Sequence, residues 1–142
     1  MSPLAPIHPV PDCPGLSGDV MSAGCPSRHI LEALAEKWTL LVLHTLMRGP
    51  LRTAQVRRAI GGISEKMLIQ TLRKLERNGF VSRQAFAEVP PRVEYRLTEL
   101  GASLADLVIS LDHWVETHFP KVLDAQSAFD ASRPEPVLRV DA

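Results

Sequence analysis

The sequence predicts a mainly helical α+β domain in which three helices, a β-hairpin and a final helix follow one another. Three observations carry that prediction. Apolar residues recur at spacings of three and four through most of residues 25–121, the signature of helices buried on one face. The stretch "VPPRVEYRLT" alternates instead, with Val93, Tyr95 and Leu97 on one side and Arg92, Glu94 and Arg96 on the other, as a strand requires. Gly, Pro, Ser, Thr and Asn stand between these segments, where caps and turns need them.

The first helix is predicted over "PSRHILEALAEKWTLLVLHTLMRG", opening at Pro26 and ending at Gly49. Proline suits the first turn of a helix and glycine its end. Ile30, Leu31, Leu34, Trp38, Leu41, Val42 and Thr45 form its apolar face. "RTAQVRRAI" reads as a short second helix, with Thr53 as its N-cap and Val56, Ala59 and Ile60 inward. The third follows the Gly61-Gly62 turn, capped by Ser64 and stopped at Asn78-Gly79. The hairpin turns at Pro90-Pro91, and Thr98 caps a last helix that Pro120 is expected to end near Phe119. Its apolar surface comes from Leu100, Leu104, Leu107, Ile109, Leu111, Trp114 and Val115. Residues 1–24 and 122–142 are rich in Pro, Ser and Gly or interrupted by Pro134 and Pro136, and are expected to be flexible tails around one domain at 25–121. This element order is that of a winged helix-turn-helix with a β-hairpin wing.

Charge points to a partner. The 142 residues carry a formal net charge of zero, which taken alone argues against a polyanion. Yet Arg52–Arg83 holds eight Arg or Lys against two Glu, a surplus of six, whereas Glu99–Asp130 holds six acids against Lys121 alone. A basic middle and an acidic later part make phosphate binding local rather than absent. With about 100° per residue, Lys66, Gln70, Arg73 and Arg77 of "GISEKMLIQTLRKLERNG" share one stripe opposite Leu68, Leu72 and Leu75. Lys, Arg and Gln are side chains that reach base edges and phosphates in a major groove. In a helix-turn-helix the second helix enters the groove with its N-terminal end leading. Ser64, Lys66 and Gln70 are therefore expected deepest, with Gln70 suited to adenine and Lys66 to guanine, while Arg77 falls toward phosphate. Thr53, Met67 and Lys74 complete the expected face. Arg83 and Arg92 near the ends of the hairpin suit phosphates or an adjacent minor groove.

The residues "CP" at Cys25-Pro26, "KWTLLVL", "GISEKMLIQTLRKLERNG" and "EVPPRVEYRLTELG" occur in the order and spacing of the HxlR-type transcriptional regulators. Over Cys25–Trp114 the chain resembles that family, relatives of the MarR-type winged-helix proteins. Ala35-Glu36 stands where the family has small residues before "KWT", a departure expected to touch a helix surface and not the DNA face. The resemblance implies a homodimer on a double-stranded DNA operator, often a repressor, joined through the first and last helices at Arg28–Met47 and Glu99–Phe119. Leu31, Leu34, Trp38, Leu107, Leu111 and Trp114 would lie in that interface. The apolar surface of these helices exceeds what so small a core uses, and unused apolar surface marks an interface.

Family members that sense oxidants or electrophiles do so through a cysteine at the position of Cys25, which implies a small reactive effector. Its place before Pro26 at the mouth of a helix, with Arg28 nearby, favours a thiolate. Against that stands a plain capping residue, and the regulator would then have no redox role. Cys13 is either a resolving partner or incidental. Two cysteines make no disulfide framework, so a cytoplasmic protein with reduced thiols is expected. The N-terminus has no secretory signal pattern and no apolar run reaches a membrane span. His8, His29, His44, His113 and His118 show no metal-ligand spacing, and neither a catalytic triad nor a glycine-rich phosphate loop is present. No cofactor and no enzyme activity is expected. The competing reading is a winged helix used as a protein-interaction module.

Overall fold

The computed structural model describes residues 17–133. Residues 1–16 and 134–142 of the expected tails, Cys13 among them, lie outside the described residues. Five helices and one antiparallel hairpin follow in the order α1 (Pro26–Leu34), α2 (Lys37–Leu46), α3 (Thr53–Ala59), α4 (Glu65–Arg77), β1 (Val81–Phe86), β2 (Arg92–Leu97) and α5 (Glu99–Ser132). The chain divides between Asp106 and Leu107 into two units. The first holds α1 to β2 with the opening of α5, and the second is the rest of α5.

The core of the first unit is built from α2, α3, α4 and the hairpin. Val42, Leu43 and Leu46 of α2, Val56 of α3, and Leu68, Leu72 and Leu75 of α4 are buried with Ile60, Ile63, Val81 and Tyr95. Complete burial of a Leu side chain contributes roughly 1.5–3 kcal/mol, and the three leucines of α4 lie on the face that the periodicity predicts. The hairpin pairs Val81 with Leu97 through Phe86 with Arg92. Leu51 adds a single further bridge, exchanging both backbone hydrogen bonds with Tyr95 at 2.9 and 2.8 Å. A one-residue strand is too short to show an alternation of side chains, so the sequence pattern does not predict it.

Five expectations are corrected. The predicted first helix is two helices: Glu36 is extended (φ −99°, ψ 140°) and begins α2 as its N-cap. Neither glycine nor proline marks that break. The predicted inward face of its first part is not buried either, for Ile30 and Leu31 are 46% and 48% exposed and α1 buries no residue. In α3 the N-cap is Arg52, not Thr53, and its N–H donates to Gln55 Oε1 at 2.9 Å; Ala59 is exposed while Val56 and Ile60 are buried. Pro120 does not end α5, which continues to Ser132 through residues expected in the tail. Proline removes one backbone donor and crowds the preceding turn. One turn further upstream, side chains bond to backbone carbonyls of α5. Thr117 Oγ1 donates to His113 O, and His118 Nδ1 lies 2.8 Å from Trp114 O with the two rings stacked 4.7 Å apart.

The start of α1 also differs. Its composition predicts an unstructured segment, yet Asp19–Cys25 forms turns, with Ser22 N–H donating to Asp19 O and Cys25 N–H to Ser22 O. Asp19 Oδ1 accepts from Met21 N–H at 3.0 Å, the local side-chain-to-backbone bond that favours Asp in turns.

Candidate nucleic-acid interface

The reading helix is fixed at both ends. Ser64 Oγ accepts from Met67 N–H at 3.1 Å, satisfying one of the donors that a helix start leaves open. Gly79 stops the helix at φ +81°, a left-handed conformation that costs glycine little. Gly62, in the turn before α4, takes the same left-handed conformation at φ +85°. The ring of Trp38 would lie 3.9 Å from a Cβ placed there. The start of α2 and the turn into α4 therefore sit close together.

With Leu68, Thr71, Leu72 and Leu75 buried, Lys66, Gln70, Arg73 and Arg77 are all exposed. Ser64 and Met67 at the leading end are exposed as well. The free N–H groups of the first turn and the helix dipole add positive potential at that end. Thr53 is half-buried as the first residue of α3. It lines a cleft between α3 and α4 together with Arg57, Arg58 and Glu65. Arg57 reaches Glu65 at 3.9 Å across the cleft. Both arginines are exposed beside the leading end of α4; the sequence shows them as part of the basic stretch without placing them at the site.

Two expected members of the face are engaged within the protein. Lys74 Nζ is 2.8 Å from Glu36 Oε2, at the break between α1 and α2. The departure at Ala35-Glu36 therefore does touch the reading helix, contrary to expectation. On the wing, Arg92 pairs with Glu88 at 3.1 Å and lies over the Phe86 ring at 4.0 Å. Its charge is partly answered inside the hairpin, whereas Arg83 on the other strand is exposed.

A family model described as HxlR-like helix-turn-helix matches residues 33–122. The chain belongs to the HxlR-like helix-turn-helix family. It is similar to the HTH-type transcriptional regulator YtfH of Escherichia coli (strain K12), 44% identical over 106 residues that cover 75% of this chain and 84% of YtfH. Among solved structures it resembles the transcriptional regulator YtfH from Salmonella typhimurium, with a TM-score of 0.74 at 41% identity, covering 78% of this chain and 99% of that one. The redox regulator HypR in its oxidized form gives a TM-score of 0.61 at 35% identity, covering 66% and 96%. Membership of the HxlR-like family and the winged-helix architecture make this chain a DNA-binding transcriptional regulator.

Cys25 departs from the expected reduced thiol. It is disulfide-bonded and fully buried. Its Sγ accepts from Asp19 N–H at 3.4 Å and lies 3.0 Å from Ser27 Oγ. Arg28, expected to stabilise a thiolate, pairs with Glu32 at 3.5 Å. Among the described residues no His, Cys, Asp and Glu cluster could hold a metal ion. No helix there is long and apolar enough to cross a membrane.

Proposed function

We propose that this protein is a homodimeric repressor that reads a two-part DNA operator with α4 and changes its affinity with the oxidation state of Cys25. The observation that carries the reading is the exposed stripe of Lys66, Gln70, Arg73 and Arg77 opposite the buried leucines of α4. A face that only meets solvent mixes charge signs, and this one does not. Base contacts fall to Ser64, Lys66, Met67 and Gln70 at the leading end, with Arg73 intermediate. Arg77, Arg83 and the α3 end at Thr53 take the phosphates. Arg92 contributes mainly by shaping the wing.

Dimer formation rests on apolar surface. Leu107, Leu111, Trp114, Val115 and Phe119 on α5 are between 47% and 69% exposed, and Leu31 on α1 is 48% exposed. Leu34 of α1 and Trp38 of α2 are half-buried. A second copy would remove this area from water, which favours association by about 25 cal/mol per Å² of apolar surface.

Redox response rests on the disulfide at Cys25 and on similarity to a regulator described as a redox regulator. A dithiol reductant would break the S–S bond, leaving two thiols and an oxidised reductant. An oxidant or electrophile is then the effector.

The test is selection of bound duplexes from a random pool by the purified protein, with and without dithiol. Enrichment of a two-fold sequence with half-sites about one or two helical turns apart, where a turn is about 10 base pairs, supports a dimeric reader. Enrichment of a single half-site, or none, overturns it. Equal affinity for the selected site with and without dithiol, and unchanged affinity in Cys25→Ser, rejects the redox part alone.

A further inference from the structure

We propose that Glu36 masks Lys74, holding one cation of the reading helix out of DNA contact and setting the strength of sequence-independent binding. The inference rests on α4 being the DNA-reading helix. Lys74 follows Arg73, stands one turn beyond Gln70 and three residues before Arg77, so it borders the exposed stripe. Its amine is nevertheless bonded to Glu36 Oε2 at 2.8 Å. That carboxylate comes from 38 residues away in the chain, at the break between α1 and α2. Lys74 and Glu36 retain 38% and 55% side-chain exposure.

An exposed ion pair contributes little to stability, so its role need not be stability. Glu36 also makes no side-chain cap hydrogen bond to α2. Its carboxylate has another consequence. A lysine on a phosphate releases condensed counterions and strengthens binding to every sequence alike. A lysine occupied by its own protein does neither, and the acid beside it repels phosphate. By masking Lys74, the chain leaves discrimination to Lys66, Gln70 and Arg73 and lowers the background on which they must discriminate.

Binding of a random-sequence duplex, measured across a range of salt, tests this with four full-length proteins: wild type, Glu36→Gln, Lys74→Ala and the double substitution. Wild-type binding that weakens with salt shows the DNA binding on which that reading depends; its absence overturns the reading and the mask with it. Given wild-type binding, the mask predicts that Glu36→Gln tightens binding several-fold and steepens the slope of log affinity against log salt by about 0.9, one additional phosphate. Lys74→Ala alone should leave the slope unchanged, and the double substitution should abolish the gain from Glu36→Gln. The mask is overturned if Lys74→Ala alone flattens the slope, since Lys74 would already be on DNA. It is also overturned if Glu36→Gln has no effect, or if its gain persists in the double substitution, which would make it a general charge effect. Thermal unfolding of all four should be alike, and a large loss in Glu36→Gln would overturn the mask by making the pair structural.

Discussion

Gly101, in the first turn of α5, packs against the carbonyl of Phe80 so closely that an added Cβ would overlap that oxygen and crowd the Phe80 carbonyl carbon. Thr98 binds the same region, donating from Oγ1 to Gly79 O at 2.6 Å and accepting from Gly101 N–H at 3.0 Å. The end of the reading helix, the start of the wing and the start of α5 therefore meet at one tight junction. In an open helix Gly→Ala stabilises by about 1 kcal/mol. Gly101→Ala should reverse that sign and destabilise by about 1–3 kcal/mol, the usual cost of overpacking. A urea midpoint lower than wild type checks it; an equal or higher midpoint would show that the junction relaxes freely.

Ser64→Ala should cost about 1 kcal/mol of stability by removing the cap on Met67 N–H. The same substitution should weaken operator binding, because the leading turn of α4 frays where it is expected to enter the groove. Chemical denaturation and operator titration of one variant measure both effects.

Gln70→Ala and Arg83→Ala should separate reading from holding. Removing a bidentate base interaction costs about 1–3 kcal/mol and relaxes preference at one position, whereas removing a phosphate interaction weakens all sequences alike. Affinities for the selected operator and for single-base variants of it distinguish the two patterns. Arg92→Ala should act differently from Arg83→Ala, since Arg92 is already held by Glu88 and Phe86.

Leu111→Glu should favour monomers by placing a charge on the exposed apolar surface of α5 without opening the core, as Leu111 is 47% exposed. Sedimentation should then show a smaller species with unchanged helix content by circular dichroism. A mass unaltered by the substitution would put the interface elsewhere.

Much of the fold is legible in the residues because the signals are local. Ser64, Asn78-Gly79 and the leucine period define α4 within a few positions, and Thr98 marks α5 for the same reason. The features that the sequence does not reveal depend on distant partners. Nothing near Ala35-Glu36 signals a helix break or tells that Glu36 meets Lys74. The commitment of Arg92 to Glu88 and Phe86 follows from the path of the hairpin turn, which composition does not fix. Pro120 is a strong breaker in isolation, yet α5 runs through it to Ser132 with the loss of one backbone donor. The turns at Asp19–Cys25, where Asp19 N–H meets the sulfur of the buried Cys25, fall in a stretch whose composition suggests none.

The central claim is that the cationic stripe of α4 carries DNA binding. The most direct measurement is the salt dependence of duplex binding by wild type and by a Lys66→Ala, Arg73→Ala, Arg77→Ala triple variant that keeps its unfolding midpoint. For every phosphate that a substitution leaves without its cation, the slope should flatten by about 0.9. We expect the triple variant to flatten by about one to three such steps and to bind with only a small part of the wild-type affinity. A triple variant that binds duplex with the wild-type slope would contradict the claim and place the DNA on another face.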